Sequence, residues 1–284
     1  MCLHRYPLVA QPSWVKLPSD KVSCFRFPVR RSAAPMTFLA IETSDPRGSL
    51  ALFDAEGVRE EEFFSEDMAH AREFASRIDG LLRRGNFAPR DLQGISVSSG
   101  PGSYTGCRVG VTAAKTLAMA LRIPVVSVSS LEVMAASAME SARAEPADGK
   151  PPLDAFVPVL DGRRGFFYGA LFRRSGGGRP VRAVEDQVAP LAELAGALEG
   201  PAWVLGAGAD AFLLGLEAAD SDEGYRRGPA EWDQPHAATL ARLSLEQLAE
   251  SSFDQERVHS LSPAYLRPSE PEIVLARKLA GENR

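Results

Sequence analysis

Between residues 37 and 141 the hydrophobic period changes in a fixed order, and that order leaves few folds open. Residues 37–43 (TFLAIET) are an apolar run of strand length, which reads as a strand buried on both faces. A turn through Asp45, Pro46, Arg47 and Gly48 leads to a second strand at 49–54. Ala55-Glu56-Gly57 then opens a third, with polar alternation, at 58–64. Residues 69–84 place Ala71, Phe74, Ala75, Ile78, Leu81 and Leu82 at helical spacing. A strand at 94–99, a helix at 108–121, a strand at 124–128 and a helix at 131–141 follow.

Three meandering strands, then helix–strand–helix–strand, is the order of an RNase-H-like α/β unit. The polar, Pro-containing stretch 142–152 (ARAEPADGKPP) reads as a linker, after which the pattern restarts. Strand-like runs at 156–160, 165–172 and 179–188 form another meander. Helical, strand-like and helical segments follow at 191–198, 202–205 and 209–216, with a further amphipathic helix at 236–250. The expected organisation is an N-terminal lobe over 36–141 and a smaller, degenerate C-terminal lobe with a tail over 153–284. Residues 1–35, interrupted by Pro7, Pro12, Pro18, Pro28 and Pro35, are expected to be a disordered leader, or translation begins at Met36.

Charge narrows the function classes. Of 32 Lys/Arg and 37 Asp/Glu, six bases (Arg5, Lys16, Lys21, Arg26, Arg30, Arg31) and one acid (Asp20) lie in the first 35 residues. The remainder carries 26 against 36, a net of −10. So acidic a body repels phosphate backbones, which disfavours autonomous nucleic-acid binding. No apolar run reaches membrane-span length. The body keeps one cysteine, Cys107, which cannot form an internal disulfide, so a cytoplasmic location is expected.

The densest motif is the string from Ser99 to Gly110 (SGPGSYTGCRVG). Gly100 and Gly102 allow close backbone approach or positive φ, and Ser103 or Thr105 can cap a helix. It fits neither nucleotide fingerprint: Cys107 stands where a phosphate loop needs Lys, and Thr105 where a dinucleotide loop needs Gly. It is therefore either a structural strand-to-helix turn or a ligand contact. The following helix has few polar side chains: Arg108, Thr112, Lys115 and Thr116 form one narrow stripe. A helix on one side of a sheet needs only about a 100° apolar face. This helix must be covered further, either inside the monomer or by a partner.

Metal and acid–base chemistry look thin. His70, His236 and His259 form no i, i+4 pair, and Phe74 follows His70 by four. Cys107 has no local signature of a catalytic thiol. Glu42-Thr43-Ser44 sits where actin-like ATPases carry an Asp and a phosphate hairpin, and Gly206-Ala-Gly208 is similar to their adenosine-side glycines. Glu42, Gly206 and Gly208 are thus candidates for a nucleotide vestige.

Met36–Glu42 (MTFLAIE), His70, the 99–110 string and Pro263-Ala-Tyr265-Leu266-Arg267 resemble the TsaB family, formerly YeaZ. The resemblance implies a two-lobed actin-like (ASKHA) fold, each lobe RNase-H-like. It implies a non-catalytic scaffold that pairs with a TsaD-type catalytic subunit and recruits a TsaE-type ATPase. That complex makes threonylcarbamoyladenosine at adenosine 37 of tRNA, which this chain would meet only through the complex. ATP and metal are expected on the partner subunits and none on this chain. Pairing is implied on the two N-lobe helices, at Ala71, Phe74, Ile78, Gly110, Ala113, Ala114, Leu117, Ala118 and Leu121, with a homodimer as the arrangement when alone. Gly100, Gly102 and Gly106 would form a structural loop. A charge at Ala114 is expected to leave the monomer folded and abolish pairing. The competing classes are a stand-alone ATP-dependent actin-like kinase and a metallopeptidase, the latter disfavoured by the missing ligand pair.

Overall fold

The computed structural model describes residues 36–64, 71–142, 153–176, 179–198, 200–220 and 224–266, and the side chains of 71–73 are not described. The expected leader, His70, most of the expected linker and Arg267 onward lie outside the described residues.

Strands β1 (Thr37–Glu42), β2 (Gly48–Asp54) and β3 (Gly57–Phe64) form an antiparallel meander. After helix α1 (Ala71–Arg84), strand β4 (Leu92–Ser98) pairs parallel with β1. After α2 (Tyr104–Leu121), β5 (Val125–Val128) pairs parallel with β4. The sheet order is β3-β2-β1-β4-β5. Helix α3 (Ser130–Ser141) then leads to β6 (Ala155–Asp161), β7 (Phe166–Arg174), β8 (Pro180–Pro190), α4 (Leu191–Ala197), β9 (Trp203–Leu205), α5 (Ala209–Ala218) and β10 (Arg226–Arg227). Its sheet runs β10-β9-β6-β7-β8, so the first, second, third, fourth and fifth strands occupy the same places in both sheets. The chain is a duplicated RNase-H-like unit.

Strand β1 has no exposed face because both sides of the first sheet are covered. Leu39 and Ile41 join α1 and α2 in one core, while Phe38 and Ala40 face a second. That second core departs from the expected lobes. Helix α6 (Ala237–Glu250) supplies Ala237, Leu240, Ala241 and Leu248 to it, and α7 (Gln255–Ser260) packs on α2. Ser49 Oγ and Glu61 Oε1, both from the first sheet, accept from the backbone N–H groups of Ala237 and Ala238 at 2.8 and 2.9 Å. These bonds satisfy donors that a helix start leaves unpaired. Residues 237–260 therefore belong to the first lobe, not to a second running from 153 to 284. An amphipathic segment states that it has an apolar face but not which sheet will cover it.

Helix α3 lies between the two sheets. Val133 faces the first-sheet core, while Leu131, Met134, Ala138 and Met139 join Phe156, Phe172 and Leu205 of the second. These α3 side chains are fully buried, and the helix keeps only a narrow polar edge, where Glu132 and Glu140 pair with Arg182 and Arg242.

Candidate functional site

Helix α2 begins at Tyr104, a turn before the expected 108. Ser103 Oγ accepts from the Gly106 N–H at 3.2 Å, and the Ser103 N–H is held by the Ser44 carbonyl at 2.6 Å. Residues Thr43 and Ser44 lie across this first turn. A Cβ on Gly102 would sit 2.2 Å from the Ser44 oxygen, one on Gly106 1.9 Å from the Thr43 oxygen, and one on Gly110 2.2 Å from Thr43 Oγ1. Thr43 Oγ1 also donates to the Gly106 carbonyl at 2.8 Å. Gly100 is needed for its φ of +98°. The glycine string is thus shaped by the chain's own backbone.

Glu42 is fully buried beneath this strap. Its Oε1 accepts from both the N–H and the hydroxyl of Ser44 at 2.6 Å, while Oε2 has no donor. Burial pushes the Glu42 carboxyl above its ordinary value, and the Asp45 charge pushes the same way. Hydrogen bonds from Ser44 oppose the shift. Burial, with Glu42 beside it, pushes the Cys107 thiol up to about 12, so it is no nucleophile. In the second lobe a Cβ on Gly206 would meet the Val159 oxygen at 2.4 Å, and one on Gly208 the Leu160 carbonyl carbon at 2.8 Å. These residues do not fit the nucleotide and metal that an actin-like fold implies. The acid is taken up by Ser44, and the glycine approaches are taken by the chain's own carbonyls. Among the described residues no three His, Cys, Asp or Glu side chains gather as metal ligands.

The open feature is a groove of ≈ 660 Å³ between α1 and α2. Phe74, Ile78 and Leu82 form its α1 wall, with Ala75 and Asp79 beside them. Val109, Ala113 and Leu117 form the α2 wall, with Tyr104, Thr105, Arg108, Thr112 and Thr116 along it. Other parts of α2 are covered by its own molecule. Gly110, Val111, Ala114 and Ala118 face the first sheet. On the flank toward α7, Lys115 Nζ donates to the carbonyls of His259 and Leu261 at 2.7 and 2.9 Å.

The predicted interface residues therefore separate. Phe74, Ile78, Ala113 and Leu117 line the groove. Gly110, Ala114 and Ala118 are buried against their own sheet and strap, which corrects their assignment to a partner surface. Leu121 packs half-buried on the first core without reaching the groove, and the side chain of Ala71 lies outside the described residues. Sequence reasoning missed Tyr104, Val109 and, as groove residues, Arg108, Thr112 and Thr116. Two adjacent apolar stripes run along α2, Val109-Ala113-Leu117 and Gly110-Ala114-Ala118. Periodicity alone gives no sign of which faces inward.

Two sheets of matching strand order, enclosing a shared helix, define a two-lobed protein of the actin-like (ASKHA) class. A family model described as "TsaD: tRNA N6-adenosine threonylcarbamoyltransferase" matches residues 62–219. Over 241 residues the chain is 34% identical to the tRNA threonylcarbamoyladenosine biosynthesis protein TsaB of Bacillus subtilis (strain 168), covering 84% of this chain and 96% of that one. The Escherichia coli (strain K12) protein of the same name is 27% identical over 143 residues, 50% of this chain and 58% of its own. The structure of YeaZ from Pseudomonas aeruginosa matches with a TM-score of 0.61 at 22% identity, covering 81% of this chain and 100% of that chain. A second Pseudomonas aeruginosa structure, described as an uncharacterized protein with similarity to peptidase YEAZ, matches at 0.65 and 22%, over 82% and 100%. At that identity the structures speak for the fold. The chain belongs to the TsaB family.

Proposed function

We propose that this chain is a non-catalytic subunit of the machinery that makes threonylcarbamoyladenosine in tRNA, acting in the cytoplasm. The observation that carries the reading is the α1–α2 groove: an apolar channel on the pair of helices by which the resembled family pairs with its catalytic subunit. Burial of such a channel favours association by roughly 25 cal/mol per Å² of apolar surface removed from water. The partner is a TsaD-type subunit, which supplies metal, ATP chemistry and transfer. A TsaE-type ATPase joins through the complex, and tRNA is met there. Three features speak against chemistry on this chain: Cys107 is buried and protonated, Glu42 is sealed, and the glycine strings are filled by backbone. No helix among the described residues is long and apolar enough to cross a membrane.

The test is co-expression with the TsaD-type subunit and size exclusion of wild type beside Ala113→Glu, which places a charge on the groove wall. Co-elution of wild type and its loss in the variant are expected, since central interface changes cost about 2–4 kcal/mol. A variant that co-elutes like wild type overturns the reading.

A further inference from the structure

The last described residues lead to the mouth of the α1–α2 groove. Past α7 the chain follows α2 back toward its start. Lys115 Nζ holds the His259 and Leu261 carbonyls, and the Ala264 N–H donates to the Ser99 carbonyl at 2.8 Å. Tyr265 then lies against Tyr104, with ring centroids 5.6 Å apart, and each tyrosine is 52% exposed. Tyr104 and Arg108 line the groove at that end, and the Arg108 guanidinium lies over the Tyr104 ring, 5.2 Å from its centroid. Residues 267–284 (RPSEPEIVLARKLAGENR) follow, outside the described residues.

That segment carries the sequence marks of an amphipathic helix. Ser269 with Glu272 three places on is a capping-box pair, and Gly281 stands where a helix would stop. Between them Ile273, Leu275, Ala276, Leu279 and Ala280 share one side at about 100° per residue, headed by Glu272. As a helix, residues 270–280 span about 16 Å, against about 20 Å along α2 from Tyr104 to Leu117. The link 266–269 reaches about 13 Å when extended, which brings the groove within range of Tyr265. So short a helix is marginal in water and needs a surface to form on.

The charges fall in a matching order. Strands β3, β4 and β5 are parallel, so α1 and α2 both run down the groove from the end that holds Arg108. Arg108 makes no ion pair among the described residues. Glu270 and Glu272 would enter first, beside it, whereas Arg277 and Lys278 come later in the segment. The groove's own acid, Asp79, likewise lies further down, on the α1 wall past Phe74.

We propose that in the unpaired subunit residues 269–280 fold back as a helix into the α1–α2 groove, acidic end at Arg108, and that the catalytic partner must displace them. This rests on the pairing function above and adds a regulation of it: the subunit screens its own apolar channel until the partner arrives. A short link gives the segment an effective concentration of about 1 mM, so a docking constant of about 0.1 mM covers the groove about ten to one. Partner binding is weakened about tenfold in consequence.

The test compares the full chain with a full-length variant carrying Leu275→Asp and Leu279→Asp, using an apolar fluorescent dye that reports an open groove. The variant is expected to bind more dye than wild type, and Ala113→Glu added to it to remove the excess. A synthetic peptide of residues 267–284 is expected to displace the dye from the variant with a constant of about 0.1 mM, and more weakly when Arg108→Glu is also present. The same peptide with both leucines replaced by aspartate should not displace it. The variant is expected to pair with the TsaD-type subunit about tenfold more tightly than wild type. Equal dye binding by variant and wild type, or a peptide that does not bind, overturns the proposal and leaves the pairing function to its own co-elution test. A peptide that binds, with partner affinity the same for both chains, shows that the groove is not the pairing face, and the pairing function falls together with the displacement. A self-dimer that persists in the variant, with the groove closed to dye in both chains, assigns the groove to a second copy and equally overturns the proposal.

Discussion

Ala113 and Ala114 are neighbours in sequence on opposite sides of a boundary, and one substitution at each measures where that boundary lies. Ala114 is fully buried under the first sheet, in the core with Leu39, Ile41 and Val97. A glutamate there must either bury a charge without a partner or keep its proton and still overpack a filled core. An unpaired buried charge costs several kcal/mol, and overpacking alone about 1–3 kcal/mol. The sum, about 4–6 kcal/mol, is comparable with the whole stability of an ordinary domain. Ala113 lines the open groove, where a glutamate reaches water and costs within about 1 kcal/mol. Urea unfolding followed by circular dichroism is the assay. Ala113→Glu is expected to unfold near the wild-type midpoint, and Ala114→Glu to be unfolded or to melt at far lower urea. If Ala114→Glu kept the wild-type midpoint and lost only its partner, the inward orientation assigned to the 110-114-118 stripe would be wrong.

Three further outcomes follow from the strap and the residues beneath it. Glu42 holds its proton more tightly folded than unfolded, so its burial costs stability progressively as pH rises above its ordinary value of 4.5 and costs most above its folded pKa. Glu42→Gln should therefore melt close to wild type near pH 4.5 and increasingly above it toward pH 8; a gap that narrows with rising pH would contradict the sign. Gly106→Ala places a methyl 1.9 Å from the Thr43 oxygen and is expected to cost about 3 kcal/mol, read as a lower thermal midpoint, whereas a neutral effect would show that the strap can lift. Cys107, its pKa pushed up to about 12, should present roughly one thiolate in ten thousand at pH 8. Its modification by an aromatic disulfide reagent should be slow until denaturant is added, and prompt reaction of the native chain would refute its burial.

Local signals carried much of this architecture. The run at 37–43 read as a buried strand, and the glycine string offered a strand-to-helix turn with Ser103 or Thr105 as its cap, beside the alternative of a ligand contact; the structure chooses the turn and Ser103. Such signals could not carry the strap, because only folding brings Thr43 onto Gly106, 63 residues away. The excess apolarity of α2 was real, yet part of the cover came from α7, fastened by Lys115 across 144 residues. Helix α3, with two glutamates of its own, is the one enclosed between the sheets. Glu42 looked like a remnant of phosphate chemistry, and its sealed position depends on packing that no short window of sequence contains. Arg108 was legible as one member of a polar stripe, but its aromatic support needs Tyr265 from the far end of the chain.

The return of α6 to the first sheet also sets an order of events during synthesis. The strands of that sheet leave the ribosome early, but the helix that covers one of their faces is encoded at 237–250. Until it emerges, Phe38, Phe53 and Val126 belong to a half-dressed sheet, the kind of exposed surface that draws chaperones and invites misassembly. The lobe begun first is thus completed last, and a nascent chain cut short before α6 would carry a raw sheet into the cell instead of a finished lobe.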